Sequence, residues 1–141
     1  MKRIILVMLV LFSINHIVSA QKDSARKNPG ENIKQFWLVI LKTGPKDKEI
    51  KDSTERSHLF VGHFGNMQKL FEEGVLKVAG PFGKNDFTWR GLFILDCKTK
   101  DEAEEYVKTD PTVKAGVFIY DIVPWWADAI GSFAPGKQVF D

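Results

Sequence analysis

Five side chains in this sequence carry chemistry that could act on a small molecule: His63, Phe82, Trp89, Arg90 and Asp110. His63 interrupts a stretch in which Leu59, Phe60, Phe64, Met67, Leu70 and Phe71 recur at helical spacing and make one broad apolar face. An imidazole there is either a core residue with one satisfied hydrogen bond or a general base. In both cases its ring N–H needs an acceptor, and that acceptor selects the tautomer. Asp110 is the candidate. In EEYVKTDPTVKAGVF the residues up to Lys108 read as a short amphipathic helix, and Pro111 forbids its continuation. That leaves Asp110 at a helix C-terminus, where a carboxylate is unfavourable by about 0.3–1 kcal/mol. Two explanations remain open: Asp110 starts an Asp-Pro turn, or it accepts a hydrogen bond from His63 and leaves the other ring nitrogen free as a base. Phe82 and Trp89 offer aromatic walls. Arg90 opens a strand and is either a ligand for an anion or an exposed edge cation.

Other residues exclude more than they support. His58 lies five residues before His63, about 140° around a helix, so the two do not share a face or a metal. No Cys/His cluster, nucleophile elbow, phosphate loop or dinucleotide glycine pattern is present, and neither a metal nor a cofactor is expected. Cys97 is the only cysteine, which rules out an intramolecular disulfide. It is read as a small buried hydrophobe continuing the alternation of Phe93 and Leu95 on the third strand.

The elements that must position these residues follow in order. FWLVIL, Phe36 to Leu41, is a strand apolar on both faces. After Gly44-Pro45 a long helix begins at Asp52 with Glu55 three residues on, as in a capping box, and ends at Gly74. VLKVAGPFG is a second strand running into a Gly-Pro turn, and Lys84 to Thr88 is a polar hairpin loop. WRGLFILDC is a third strand, Asp101 to Lys108 a second helix, and GVFIYDIVPW a fourth strand stopped by Pro124. The order βαββαβ is the ferredoxin-like α+β pattern, a four-stranded antiparallel sheet with two helices on one face. Strands apolar on both faces would leave the other face bare. Two sheets packed face to face in a homodimer resolve this; the alternative is that the tail folds back over the sheet.

The chain also carries addressing information. Lys2-Arg3, the apolar run Ile4 to Phe12 and Val18-Ser19-Ala20 read as a signal peptide over residues 1–20, with Gln21 as the new N-terminus. The apolar run is shorter than the about 20 residues of a membrane span. Export to the periplasm or the outside is therefore expected, with no membrane attachment after cleavage. Lys2 and Arg3 leave with the signal, which reduces 20 Lys+Arg to 18, against 18 Asp+Glu. That balance gives no reason to expect nucleic-acid binding. Residues 21–34 are a polar linker, residues 35–126 one domain, and residues 127–141 a tail.

The pieces HFGNMQKLFEEGVLKVAGPFG, WRGLFILD, DEAEEYVKTDPTVKAGV and IVPWW, in this order and with these gaps, resemble the YciI-like (YCII-related) family. The resemblance spans about Phe36 to Trp126. It implies a dimeric α+β barrel with a His and an Asp facing a pocket, which fall on His63 and Asp110. Its wider relatives include muconolactone isomerases and a dehydrochlorinase of a chlorinated hydroxyquinol. The signal peptide, linker and tail depart from the usual small cytoplasmic member. The expected function is an exported isomerase- or lyase-type enzyme. His63 and Asp110 would be catalytic, with Phe82, Trp89 and Arg90 binding a small cyclic or aromatic-derived substrate. The alternative is a non-catalytic small-ligand-binding dimer of the same fold.

Overall fold

The computed structural model describes residues 33–127; the signal peptide, all but the end of the linker and all but the start of the tail lie outside the described residues. Seven elements follow in order: β1 (Lys34–Thr43), α1 (Ser53–Glu72), β2 (Leu76–Pro81), β3 (Trp89–Leu95), α2 (Lys100–Lys108), α3 (Pro111–Lys114) and β4 (Phe118–Ala127). The strands form one antiparallel sheet in the order β2-β3-β1-β4. This is the expected ferredoxin-like α+β fold, with one added helical turn, α3. Among the described residues no helix is long and apolar enough to cross a membrane.

Local signals set the ends of α1 as expected. Asp52 accepts from the Glu55 N–H at 2.7 Å. At the other end Gly74 takes φ +74°, the Gly74 N–H bonds to the Phe71 carbonyl and the Val75 N–H to the Leu70 carbonyl. These are the two bonds of a Schellman stop. In α2, Thr99 caps by accepting from the Glu102 N–H, and the Glu102 carboxylate returns to the Lys98 N–H.

The core lies between the helices and one sheet face. Val39, Leu41, Phe93, Leu95, Leu76 and Phe118 from the strands meet Leu70 of α1 and Ala103 and Val107 of α2. The opposite face carries Leu38 between Ile94 and Val123, Ile40 beside Leu92, and Phe36 beside Trp125. Val123 and Trp125 keep about two-fifths of their surface exposed. The sheet is therefore apolar on both faces, and only one is covered by the described residues.

Four expectations need correction. Pro124 does not stop β4; it pairs with Trp37 inside the strand. Because β4 is an edge strand, a residue without an N–H is tolerated there. Phe64 and Phe71 do not join a continuous buried face of α1; both are 62% exposed. The apolar stripe is wider than the surface the helix covers: His63 and Leu70 face inward, and Phe64 and Phe71, each one residue on, lie along the β2 edge. Cys97 lies past the end of β3 and is half-buried, against the fully buried strand position expected. Burial, with Glu102 and Asp96 nearby, pushes its thiol up to about 11, so it remains protonated at neutral pH. Asp110 does follow the C-cap of α2, as expected, but it is not unfavourably placed there, because it also opens the unforeseen turn α3.

The two helix layers touch through a glycine. A Cβ at Gly62 of α1 would stand 2.8 Å from Pro111 Cγ, whereas one at Gly65 of the same helix would meet nothing within 4 Å. The ring of Pro111 is rigid, so Gly62 is what lets α3 approach α1. Gly65→Ala should stabilise the fold by about 0.5–1 kcal/mol through helix propensity. Gly62→Ala should instead destabilise it by about 1–3 kcal/mol through overpacking. Urea unfolding of the two variants checks this; equal shifts of the same sign would contradict the close approach.

Candidate active site

Asp110 is built into its position by three neighbours. With φ −66° and ψ 124° it is the N-cap of α3, and Pro111 occupies the first helical position, where a missing N–H is harmless. Its Oδ1 accepts from the Thr112 N–H at 2.9 Å and from Thr112 Oγ1 at 2.6 Å. Past α3, Gly116 at φ +73° closes a second Schellman stop through Gly116 N–H to Val113 O and Val117 N–H to Thr112 O. A four-residue turn is thus pinned at both ends, and Asp110 is held with no exposed surface.

The remaining oxygen, Oδ2, meets His63. The Nδ1–Oδ2 distance is 2.6 Å, and His63 is 8% exposed. Both of the earlier readings of Asp110 therefore hold together: one oxygen caps the turn and the other holds the imidazole. Burial alone would raise the Asp110 pKa, but the donors His63 and Thr112 outweigh it and hold the carboxyl below its ordinary value. An ionised acceptor fixes the proton of neutral His63 on Nδ1 and leaves the Nε2 lone pair free. Among the described residues Nε2 has no hydrogen-bond partner.

The His63 ring lines a cavity of about 260 Å³ between α1 and the β2–β3 end of the sheet. Its walls are mostly apolar. Phe93 stacks on the imidazole at 6.0 Å, and Phe60, Phe64 and Phe118 meet it edge-on at 6.1, 5.4 and 5.8 Å. Phe82 and Arg90 line the same cavity. Trp89 does not; it stacks against Phe87 at 4.8 Å and stands 5.3 Å from Phe82, behind the wall. Of the five residues singled out from sequence, four thus face one space or hold a group that does, and Trp89 supports Phe82 from behind.

Sequence reading missed Thr112, Gly62, Phe93 and Phe118 as parts of this site. For Thr112 a signal existed: Asp-Pro is an N-cap followed by a residue suited to the first helical turn, and an Asp cap bonds the N–H two residues on. The others are scattered over three elements, and only packing brings them together. Among the described residues no three His, Cys, Asp or Glu side chains gather as a metal site.

A model of the YCII-related domain matches residues 36–126. The chain belongs to the YCII-related domain family. Among solved structures it is similar to the 5-chloro-2-hydroxyhydroquinone dehydrochlorinase from Burkholderia phenoliruptrix AC1100 in complex with 2,5-dihydroxybenzoquinone. The two share 23% identity over 64% of this chain and 92% of that one, with a TM-score of 0.47. That likeness concerns chain path alone. No functionally curated protein matches the sequence.

The Asp110 carboxylate sets a pH dependence. Because its folded pKa is depressed, it contributes stability that is present above its ordinary 3.8 and is lost as pH falls through the lower folded value. Asp110→Asn should cost about 1–3 kcal/mol at neutral pH. The gap between the two proteins should narrow only below pH 3.8. Thermal unfolding of both across the acid range measures it; a gap that widens on acidification would reverse the sign assigned to Asp110.

Proposed function

We propose that this YCII-related domain is a small exported enzyme in which His63 moves a proton on a small cyclic or aromatic-derived substrate. One arrangement carries the reading. A carboxylate with no exposed surface, already bonded twice by Thr112, holds His63 Nδ1 at 2.6 Å, and the ring lines an apolar cavity. A buried core histidine would have both nitrogens satisfied or packed away. This one has a partner for a single nitrogen among the described residues, on a ring that lines a cavity.

The chemistry follows from that geometry. Neutral His63 takes a proton from an activated carbon through Nε2, so a C–H bond breaks and an N–H bond forms. The imidazolium that results is stabilised by Asp110, which stays ionised. In an isomerisation the proton returns to a different carbon. In an elimination the electron pair of the broken C–H bond forms a double bond and expels a leaving group as an anion. The apolar walls strengthen the His63–Asp110 attraction by keeping the local dielectric low. Phe82 and Arg90 would contact the substrate. The signal-like residues Met1–Ala20 support export.

The bare sheet face favours a homodimer, because an apolar surface of that extent is rarely left to water. Sedimentation equilibrium should give twice the protomer mass at micromolar concentration. A monodisperse monomer would overturn the sheet-to-sheet dimer.

The test of the site begins with mass spectrometry of a co-purified compound, followed by turnover of that compound. His63→Ala should lower the rate by about 10²–10⁴-fold, the usual worth of a general base. Asp110→Asn should lower it less, since it keeps the shape but not the charge. Rates unchanged by His63→Ala, in protein that still folds, would leave the pair as scaffold and favour a ligand-binding role for the cavity.

A further inference from the structure

The polar groups at the cavity are unequal in what they have already spent. Arg56 donates Nη1 to the Asp47 carbonyl at 2.9 Å and Nη2 to Asp47 Oδ1 at 2.6 Å. Arg90 pairs with the same carboxylate through Oδ2 at 3.6 Å, beyond hydrogen-bond reach, and its guanidinium makes no hydrogen bond among the described residues. A guanidinium has five N–H donors in a fixed fork that matches a planar anion. Two guanidinium groups thus share one carboxylate: Arg56 is hydrogen-bonded to Oδ1, and Arg90 holds Oδ2 only by a longer ion pair that leaves its N–H donors available.

A defect in the sheet aims Arg90 inward. Leu41 pairs with Gly91 and Lys42 with Trp89, so Arg90 is an extra residue in β3 without a partner on β1. Gly91 lies on the helix side of the sheet, opposite the buried Leu41, so plain alternation would send Arg90 to the bare face. The bulge turns it instead toward the cavity, where its Cζ stands 5.6 Å from the Phe118 ring. The same ring stands 5.8 Å from His63. Arg90 and His63 therefore flank one phenylalanine. No Asp or Glu lines the cavity among its described residues. At about 260 Å³ the space lies below the roughly 300–1,000 Å³ of sites for drug-sized ligands, and it suits a single ring.

We propose that this cavity selects the monoanion of a small planar ring compound, with Arg90 as the residue that sets the selectivity. The anionic oxygen binds the free face of the Arg90 guanidinium, and the ring lies against Phe118 and Phe93. That pose directs the ring toward His63. The inference rests on the proposed role of the cavity as a substrate site. It concerns binding, however, and does not require His63 to act as a base.

Benzoate and benzamide separate the charge from the shape, since they are planar, of equal size, and differ by one charge at neutral pH. Isothermal titration of the full chain should show saturable binding of benzoate at millimolar concentration or below, with benzamide weaker by about tenfold. Arg90→Gln should remove the difference by weakening benzoate alone. Arg90→Lys should keep part of it, because the charge remains and the fork is lost. Thermal unfolding of each variant verifies the fold. Three results would overturn the proposal: no binding of either compound, equal binding by the unaltered protein, or a preference that survives Arg90→Gln and disappears in His63→Gln. Failure of the proton-transfer reading is distinguishable, because it would appear as turnover insensitive to His63 while the benzoate preference and its dependence on Arg90 persist.

Discussion

A carboxylate sealed from solvent must be neutralised, paired or hydrogen-bonded, and the site is organised around how Asp110 meets that requirement. It does so with two donors from Thr112 and one from His63. Each donor has a structural cost. Thr112 is in place only because α3 forms, and α3 forms only because Pro111 and Gly116 bracket it. His63 reaches Asp110 only because Gly62, its neighbour on α1, has no side chain to collide with Pro111. The glycines and the proline that look like ordinary punctuation are the parts that let two helices approach to within a hydrogen bond.

The same constraint makes the pair asymmetric. Asp110 has no capacity left for a ligand, because one oxygen is taken by the turn and the other by the imidazole. His63 has one nitrogen committed and the other without a partner among the described residues, on a ring that lines an apolar cavity. Negative charge is thus placed behind the ring, and no carboxylate lines the cavity among the described residues, an arrangement suited to stabilising an imidazolium. The aromatic rings around His63 keep water scarce on both sides. Stability and chemistry are coupled here, since the carboxylate that would assist proton transfer also caps a helical turn. A loss of stability at Asp110 therefore does not by itself argue against a functional role.

The sheet contributes through its irregularities. A bulge at Lys77 lets Leu76 face the core while Val78, one position past the slip, pairs with Ile94 on the bare side. A second bulge presents Arg90 to the cavity. A regular ladder would place that guanidinium on the opposite face of the sheet, away from the helices. The two slips occur on strands β2 and β3, which frame the cavity, whereas β1 and β4 pair without interruption.

Much of the fold was legible in the linear pattern, because its signals are local. Two-sided apolar runs mark strands, Asp52 with Glu55 marks a helix start, and Gly74 marks its end, each through contacts within a few residues. The element order alone then restricts the topology to a ferredoxin-like sheet. His63 and Asp110 were legible as anomalies, a polar residue on an apolar face and an acid beside a proline. Even so, α3 itself was not foreseen, because one turn of helix has almost no periodicity to detect. What tertiary structure alone decided was proximity across 47 residues of chain. The Gly62–Pro111 approach, the cavity walls drawn from α1, β2, β3 and β4, the displacement of Trp89 behind Phe82 and the turning of Arg90 by a bulge all depend on which surfaces meet. Sequence spacing reports which side chains share an element's face. It does not report how far one element slides along another, and a shift of one residue in a strand moves a side chain from one face of the sheet to the other.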